Sequence, residues 1–415
     1  MPNDYKRREF LKLAGCAASV YTLTGFSHAK PRHPNVIFLF ADQHRASAMG
    51  CYGDPNGRTP NLDKLAEQGV RMEAAYSNTP VCSPFRACLM TGCYSHHHGM
   101  MTNNANFLPT GPLLAQTFKE AGYTTAYVGK WHLEFPSHEL QFPGQYPHAH
   151  KKYVPPQRRM GYDWWRMADI HHNHFAYSFF IDDAQQPTAP QKGWQPAGYI
   201  DMAMEFITSH KTDKPFFLTV SFVPPHTPYT APEPYRQRYQ DTALELLPNV
   251  PKGKAEQFAR DNLPDYYGMI EALDTDIGRL LSLVDDMGLS ENTIVVYTSD
   301  HGDQLGSHGY KVKRWPHDES SRIPFILRYP ANIRAGQVVT TPFSAIDMFP
   351  TLAGLCELEV PPAIDGVDYS AHLRHQSTPP RDYVFLQMHY GYVPWPGWRA
   401  LRTRKYLYAE TKLGP

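Results

Sequence analysis

The chain has 415 residues, of which 42% are hydrophobic and 19% charged, so it can bury a large core and does not have the composition of a disordered protein. Basic and acidic residues balance at 40 each, and this lack of net charge gives no sign of a nucleic-acid partner. Of six cysteines, Cys16 lies in the N-terminal leader and five remain, so a framework of disulfides is not expected.

The N-terminus has the pattern of an export signal. Residues 6–12 (KRREFLK) resemble a twin-arginine motif, residues 13–26 are weakly apolar, and residues 27–29 (SHA) offer a cleavage site after Ala29. We therefore expect the Tat export machinery as a partner and a periplasmic or extracellular location. Residues 13–16 (LAGC) also resemble a lipoprotein box, so a lipid anchor on Cys16 is a second interpretation. Cleavage after Ala29 is preferred, because almost no apolar run separates Cys16 from the arginines.

The first strand beyond the leader ends in polar residues. Residues 34–43 (PNVIFLFADQ) form a short apolar run that predicts a strand buried on both faces. Open α/β sheets bind ligands at the carboxyl ends of their strands. Asp42 is thus a candidate metal ligand, with Gln43 offering an amide oxygen beside it. A simple strand-end cap is the alternative for Asp42.

A second stretch, residues 79–92 (TPVCSPFRACLMTG), predicts a turn followed by a helix that begins at Pro84. It follows a predicted helix over residues 59–69 and a strand over residues 70–76. Cys82 would then precede a helix N-terminus, where free N–H groups favour negative charge. Arg86 would reach back over the same spot. Taken alone, the stretch is also compatible with a buried structural cysteine.

Three further predicted strands end in polar side chains. The strands span residues 123–128, 216–223 and 293–299, and the polar groups that follow them are Lys130, His132, His226, Asp300 and His301. Lys130 and His132 are two residues apart, so they would share a face on extended backbone. The repeated pattern is typical of a ligand site at one edge of a sheet.

The other segments predict helices and loops. Helices are expected over residues 113–121, 199–209 and 265–287. The acidic residues of the last helix are expected to form a solvent-exposed face (Glu271, Asp274, Asp276). Residues 95–99 (SHHHG) predict a loop with one or two structural histidines, because three adjacent histidines cannot easily face one ion. Residues 135–195 predict a loop-rich, substrate-facing insertion; its HHNH tract lacks zinc-finger spacing.

Strands over residues 383–389 and within 398–408 predict a smaller C-terminal sheet. The expected organisation is a signal peptide over residues 1–29, a main domain over 33–375 and the start of a C-terminal subdomain over 376–415. The end at Pro415 suggests a truncated subdomain.

The segment Cys82-Ser-Pro84-Phe-Arg86 resembles the C-x-P-x-R signature of the sulfatases, although Phe85 and Cys88 stand where serine is more usual. The strand-end motifs follow in the family's order over residues 34–408, and the leader resembles that of exported bacterial carbohydrate sulfatases. The resemblance implies an α/β, alkaline-phosphatase-like fold: a mixed, mostly parallel sheet sandwiched by helices, with a smaller C-terminal α+β subdomain. Gln43 replaces the more usual aspartate and matches an Asp-Gln branch that includes phosphonate and phosphodiester hydrolases.

The resemblance also implies a cofactor set. Cys82 would be converted to formylglycine by a formylglycine-generating or an anaerobic sulfatase-maturing enzyme. One divalent cation would be held by Asp42, Gln43, residue 82, Asp300 and His301. The oxygen-rich ligands favour calcium, while magnesium and manganese stay open.

The roles of the remaining residues follow from the same resemblance. A hydroxyl of hydrated formylglycine would attack sulfur, with Asp300 as proton acceptor, and form a covalent sulfo-enzyme. Arg86, Lys130 and Lys313 would offset the sulfate charge; Lys313 matches the family lysine by register, with Lys311 as the alternative. His226, with Lys313, would protonate the leaving alcohol, and His132 would take the proton whose loss expels sulfate.

Three hypotheses for function remain at this point. The first is an exported sulfatase acting on a sulfated saccharide. The second is a phosphodiester or phosphonate monoester hydrolase, which the Asp42-Gln43 pair supports. The third is a non-catalytic sulfoglycan-binding protein, which would result if Cys82 stays unmodified.

Overall fold

The computed structural model describes residues 33–103, 105–134, 153–168, 173–389 and 397–411. The predicted export signal, its cleavage site and Cys16 lie outside the described residues. So do residues 135–152 and 169–172 of the predicted insertion.

The strands carry the framework of the protein. In chain order they are Asn35–Asp42 (β1), Val70–Met72 (β2), Ala75–Tyr76 (β3), Thr124–Lys130 (β4), Trp164–Ala168 (β5), Ala176–Tyr177 (β6), Phe180–Ile181 (β7), Gln191–Lys192 (β8), Phe216–Pro225 (β9), Thr293–Ser299 (β10), Phe325–Arg328 (β11), Gln337–Val339 (β12), Phe343–Ser344 (β13), Tyr383–Met388 (β14), Trp398–Thr403 (β15) and Leu407–Thr411 (β16).

Nine of these strands form one mixed sheet in the order β12-β2-β11-β10-β1-β9-β4-β5-β7. The central strands β10, β1, β9, β4 and β5 run parallel, whereas β11 and β7 pair antiparallel with their neighbours. Along β1, Phe38 and Phe40 pack into one core cluster while Ile37 and Leu39 pack into another. The run is therefore buried on both faces, as its continuous apolar sequence predicts.

Helices cover both faces of this sheet. They are Pro60–Glu67 (α1), Cys82–Thr91 (α2), Ser95–His98 (α3), Leu114–Glu120 (α4), Gln195–Ser209 (α5), Tyr235–Gln240 (α6), Lys254–Asp286 (α7), Asp318–Ser321 (α8), Ala345–Leu355 (α9) and Ser370–Leu373 (α10), with short 3-10 turns between some of them. Apolar residues of α2, α4 and α9 join the core on one face, and those of α1, α5 and α7 join the core on the other. The predicted sandwich of a mostly parallel sheet is confirmed.

Several boundaries differ from the sequence prediction. The single strand expected over residues 70–76 is two short strands, and the loop expected over residues 95–99 contains the one-turn helix α3. Helix α7 begins at Lys254 instead of residue 265, because Pro264 lies inside the helix and does not start it.

The acidic residues of α7 are not a solvent-exposed face, and that prediction was wrong. Asp274 is 1% exposed, and its carboxylate accepts hydrogen bonds from the backbone N–H groups of Asn61 and Leu62 at 3.1 and 2.8 Å. It therefore satisfies free donors in the first turn of α1. Glu271 is also buried and pairs with Arg238, while Asp276 lies 3.4 Å from Arg279.

Strands β14, β15 and β16 form a separate antiparallel sheet near the C-terminus. Val384, Leu386 and Trp398 of this sheet pack against Tyr76 and Val81, just before α2. All five described cysteines are free thiols. Among the described residues, no helix combines the length and apolar character that crossing a membrane requires.

Candidate active site

The site begins where β1 and β10 end side by side. Their parallel register pairs Ala41 with Ser299, which sets the next residues, Asp42 and Asp300, next to each other. Gln43 then turns the chain with a φ of 73° and donates its backbone N–H to Asp300 Oδ1 at 3.0 Å. Both carboxylates are fully buried.

Cys82 is the first residue of α2, so the helix starts two residues earlier than predicted. Pro84 still lies in the first turn of the helix, where a backbone N–H group would have no intrahelical partner, so its absence costs no hydrogen bond. The Cys82 sulfur lies 3.6 Å from Asp42 Oδ1 and 3.4 Å from His301 Nε2. The helix start therefore delivers residue 82 to the carboxylate cluster.

His301 turns one ring nitrogen toward the same cluster. Its Nδ1 lies 2.9 Å from the carbonyl oxygen of Gly302, so Nδ1 carries the hydrogen and donates it. Its Nε2 lies 3.5 Å from Asp42 Oδ1 and 3.4 Å from Asp300 Oδ1. The potential ligand atoms of Asp42, Cys82, Asp300 and His301 all lie within 4.8 Å of one another.

This cluster fits a divalent cation. Asp300 Oδ2 is buried and accepts no hydrogen bond from the described residues, which is rare for a carboxylate oxygen unless an ion binds it. Burial and the adjacent Asp42 carboxylate raise the pKa of Asp300 to about 7. Two carboxylates that close together are stabilised when a cation lies between them, and the oxygen and imidazole donors suit calcium, magnesium or manganese.

The orientation of the Gln43 amide is fixed by hydrogen bonds on both of its atoms. Its Nε2 donates to Asp303 Oδ2 at 2.5 Å, and its Oε1 accepts from Lys313 Nζ at 3.2 Å. Asp303 is itself fully buried and also accepts the Tyr229 hydroxyl at 2.6 Å. The carboxylate can accept only, so it holds the amide nitrogen away from the cluster and the amide oxygen toward it.

Two lysines bring positive charge to the cluster. Lys130 Nζ donates to Asp42 Oδ2, and Lys313 Nζ lies 3.1 Å from the Cys82 sulfur. Burial opposes thiolate formation at Cys82, but Lys313, Lys130 and His301 outweigh it and hold the thiol pKa well below its usual value. Lys311 lies elsewhere, with its ammonium 4.8 Å from the Phe258 ring centre. Of Lys311 and Lys313, the two candidates for the family lysine, only Lys313 therefore reaches the site.

Arg86 supplies a third, fully buried positive charge. Its Nη1 donates to the Lys130 carbonyl and to Ser221 Oγ, each at 2.7 Å. Its Nη2 lies 3.5 Å from Asp42 Oδ2 and 3.6 Å from Asp300 Oδ2 and has no hydrogen-bond partner among the described residues. The guanidinium is thus anchored at one nitrogen and directs another toward the cluster.

His132 reaches the site from a turn and not from extended backbone. Its φ is 53°, so the expected face shared with Lys130 does not exist. The carbonyl of His132 instead accepts the Ser83 hydroxyl at 2.6 Å, which ties this turn to the start of α2. Burial and Lys130 lower the pKa of His132 to about 4, although a hydrogen bond to Cys82 opposes them. The ring is neutral at pH 7 and able to accept a proton.

His226 approaches the same residue from the loop after β9. Its Nδ1 lies 2.7 Å from the carbonyl oxygen of Thr227, and the side chain is half-buried. Burial and Lys313 lower its pKa, whereas Asp42 and a hydrogen bond to Cys82 raise it. The two histidines therefore contact residue 82 from separate loops.

Three supporting residues were not found from the sequence. Asp303 and Tyr229 orient Gln43, and His174 lies 2.9 Å from the carbonyl oxygen of His226 through its Nε2. His174 belongs to the HHNH tract, whose function the sequence left unassigned. These contacts join segments far apart in the chain, and no local pattern marks them.

The fold and site define an alkaline-phosphatase-like hydrolase of anionic esters, and comparison with known proteins identifies the family. The family model described as Sulfatase matches residues 34–358. An ulvan-active sulfatase of Formosa agariphila is 37% identical, in a match that covers 97% of this chain and 77% of that protein. An endo-4-O-sulfatase of Bacteroides thetaiotaomicron is 30% identical, with 81% and 72% covered.

A solved structure agrees with these sequence relatives. The crystal structure of a Bacteroides fragilis protein assigned as the sulfatase YidJ superposes with a TM-score of 0.84 at 30% identity, covering 91% of this chain and 86% of that one. The chain belongs to the sulfatase family and is a sulfuric ester hydrolase. The family is metal-dependent and uses formylglycine.

Proposed function

We propose that this protein removes sulfate from a sulfated carbohydrate, using formylglycine made from Cys82 and one calcium ion. The observation that carries the proposal is the meeting of Cys82, two carboxylates and an imidazole within 4.8 Å, flanked by buried cationic side chains. This arrangement suits an anionic ester whose charge must be offset while a nucleophile approaches.

The substrate class is supported by the named relatives. One is described as active on ulvan and another as an endo-4-O-sulfatase, and both match most of this chain. The family assignment also favours a sulfuric ester over the phosphorus esters that the Asp42-Gln43 pair left open.

Asp42, Gln43, Asp300 and His301 would hold the cation together with an oxygen of residue 82. When both are in place, the cation and hydrated formylglycine supply an acidified hydroxyl as nucleophile. We prefer calcium because four of these five donors are oxygen atoms.

Arg86, Lys130 and Lys313 would bind the sulfate oxygens. All three are buried beside Asp42 and within reach of residue 82, so their charges act in a medium of low dielectric constant. Their positions are fixed before the substrate arrives, which is the condition for strong stabilisation of a transition state.

Four side chains would move protons. Asp300 would accept the proton of the attacking hydroxyl at residue 82. His226, with Lys313, would donate to the oxygen of the departing alcohol. His132 is neutral at pH 7 and would accept the proton whose loss from residue 82 releases sulfate.

The test has two parts. The purified protein should hydrolyse an aryl sulfate faster than the matching aryl phosphodiester, and a panel of sulfated saccharides should yield free sulfate from at least one member. Mass spectrometry of the peptide containing residue 82 should show formylglycine. A mass of unmodified cysteine in protein from its natural host, with saccharide binding but no turnover, would instead favour the sulfoglycan-binding hypothesis.

We also propose that residues 1–29 direct export by the Tat machinery and are removed, leaving a catalytic domain over residues 33–375 followed by a C-terminal subdomain. The twin-arginine pattern supports this proposal. Replacing Arg7 and Arg8 by lysine should retain the protein in the cytoplasm, which cell fractionation would show.

A further inference from the structure

The histidine run after α2 serves three different contacts. His96 Nδ1 lies 2.9 Å from Gln387 Oε1, and His98 Nε2 lies 3.4 Å from the Cys88 sulfur. His97 Nδ1 instead lies 3.0 Å from Asp365 Oδ2. The three histidines therefore face different partners, and among the described residues only the middle one contacts a carboxylate.

A third ligand-bearing side chain lies beside that pair. The potential ligand atoms of Cys93, His97 and Asp365 all lie within 4.8 Å of one another. Cys82 is the first residue of α2 and Cys93 follows the last residue of the helix by two positions, so the length of the helix separates them by roughly 15 Å. The cluster is thus distinct from the active site.

The backbone holds this cluster in place. The N–H groups of Asp365 and Gly366 both donate to the carbonyl of Gly92, at 3.0 and 2.8 Å. The N–H of Tyr94 donates to Asp365 Oδ2 at 2.9 Å. The carboxylate is therefore fixed against the end of α2, next to the residue that carries the thiol.

We propose that Cys93, His97 and Asp365 form a second metal site, of the zinc class. Thiolate, imidazole and carboxylate together are ligands that zinc accepts, whereas calcium does not take sulfur. Ligand atoms around one tetrahedral zinc lie about 3–4 Å apart, close to the spacing seen here. The His97 side chain is 55% exposed, so an ion can enter and a water can complete the coordination.

Metal binding requires a small change in the present contacts. The Cys93 thiol donates to the carbonyls of Thr91 and Ala363 at 3.5 and 3.7 Å, so it carries its proton. Binding would release that proton to solvent and replace two long sulfur hydrogen bonds by a metal–sulfur bond. The site would then link the end of α2 to α3 and to the loop carrying Asp365.

The test uses the full chain with Cys82→Ala, which removes the active-site thiol, and saturating calcium to fill the cluster around Asp42. Cobalt(II) added to this protein should produce a sulfur-to-metal charge-transfer band with one equivalent bound, and zinc should displace it. Cys93→Ser should abolish the band. His97→Gln and Asp365→Asn should each weaken cobalt binding at least about tenfold, because each removes a ligand.

His96→Gln is the matched control, since it changes the neighbouring histidine without touching the cluster, and it should bind cobalt normally. His97 is a surface residue, so its variant remains informative even if Cys93→Ser does not fold. Absence of the band at micromolar cobalt, its persistence without Cys93, or equal losses in the His96 and His97 variants would each overturn the proposal.

Discussion

The active site is built from two regions that differ in how they hold their side chains. Asp42, Asp300 and His301 follow directly from adjacent parallel strands and are fully buried. His132 and His226 lie on turns, and each depends on contacts from another segment for its position. The metal-binding carboxylates are therefore positioned by the sheet, whereas the two histidines are positioned by turns that other segments hold in place.

The largest effect should come from residue 82, the proposed nucleophile, which lies beside the sheet-held carboxylates. Cys82→Ala should lower sulfatase turnover by about 10⁶-fold, since loss of a covalent nucleophile removes the reaction path. Circular dichroism and thermal melting should show a folded protein, because the change removes only a sulfur atom. Near-normal turnover in this variant would refute the role of residue 82.

Substitution of the loop histidines should separate their steps. His226→Ala should slow hydrolysis of sugar sulfates by about 10²–10⁴-fold but affect nitrophenyl sulfate far less, because nitrophenolate leaves without a proton. His132→Ala should slow both substrates and allow a sulfated residue 82 to accumulate, visible by mass spectrometry after rapid quenching. A strong dependence on the leaving group in His132→Ala, with no trapped adduct, would show that the roles are reversed or shared.

The charges beside the cluster can be tested with a matched pair of lysines. Lys313→Ala should lower kcat/KM by about 10²–10³-fold, comparable to the loss of one preorganised donor to a developing charge. Lys311→Ala is the control, because its ammonium packs on Phe258 instead of facing Cys82. Equal activity of the two variants would remove Lys313 from the mechanism.

The amide at Gln43 offers a test of how its neighbours orient it. Gln43→Glu should weaken calcium binding to the cation-free protein by about 10–100-fold, because the new carboxylate would face Asp303 at hydrogen-bond distance. Adding Asp303→Asn should restore binding, since the asparagine amide can donate to the glutamate. Isothermal titration calorimetry measures both. Failure of the second substitution to restore affinity would mean that Asp303 does not orient residue 43.

The smallest expected effect is the dependence of calcium affinity and of protein stability on pH. Burial and Asp42 raise the pKa of Asp300 to about 7, so a proton competes with the cation below that value. Calcium affinity should fall by about tenfold per pH unit below pH 7 and level off above it. Because the folded pKa exceeds the unfolded value, the cation-free protein should also lose stability as pH rises from about 4 to about 7. Asp300→Asn should flatten both profiles; a calcium affinity independent of pH between 6 and 8 would contradict the assignment.

The sequence correctly predicted the core strands and the polar residues at their carboxyl ends. Apolar runs located β1, β4, β9 and β10, and the residues after them, such as Asp42 and Asp300, do meet at one sheet edge. The backbone conformation after the strands was not predicted correctly. Extended backbone was assumed for His132, whose φ is positive. Lys313 was preferred over Lys311 because its position matches that of the lysine in the sulfatase family. No periodic pattern in this sequence distinguishes the two.

Long-range partners could not be predicted from local pattern. Helical spacing indicated the part of α7 that follows Pro264, but polarity alone suggested that Asp274 faces solvent. Its actual partners are backbone groups of Asn61 and Leu62, more than two hundred positions earlier in the chain. The same holds for Tyr229, which reaches Asp303 across 74 positions. A single sequence shows which groups are polar but not which distant donors will meet them.

The burial of Cys82 limits the time during which this residue can be modified. The residue is 1% exposed, and every residue of α2 is buried. The catalytic centre of a modifying enzyme cannot reach a side chain buried in this way. If residue 82 is converted as proposed, conversion must therefore be completed while the segment is still extended during biosynthesis. A chain that folds before it is modified would stay inactive. The yield of active enzyme would therefore depend on the rate of modification relative to the rate of folding.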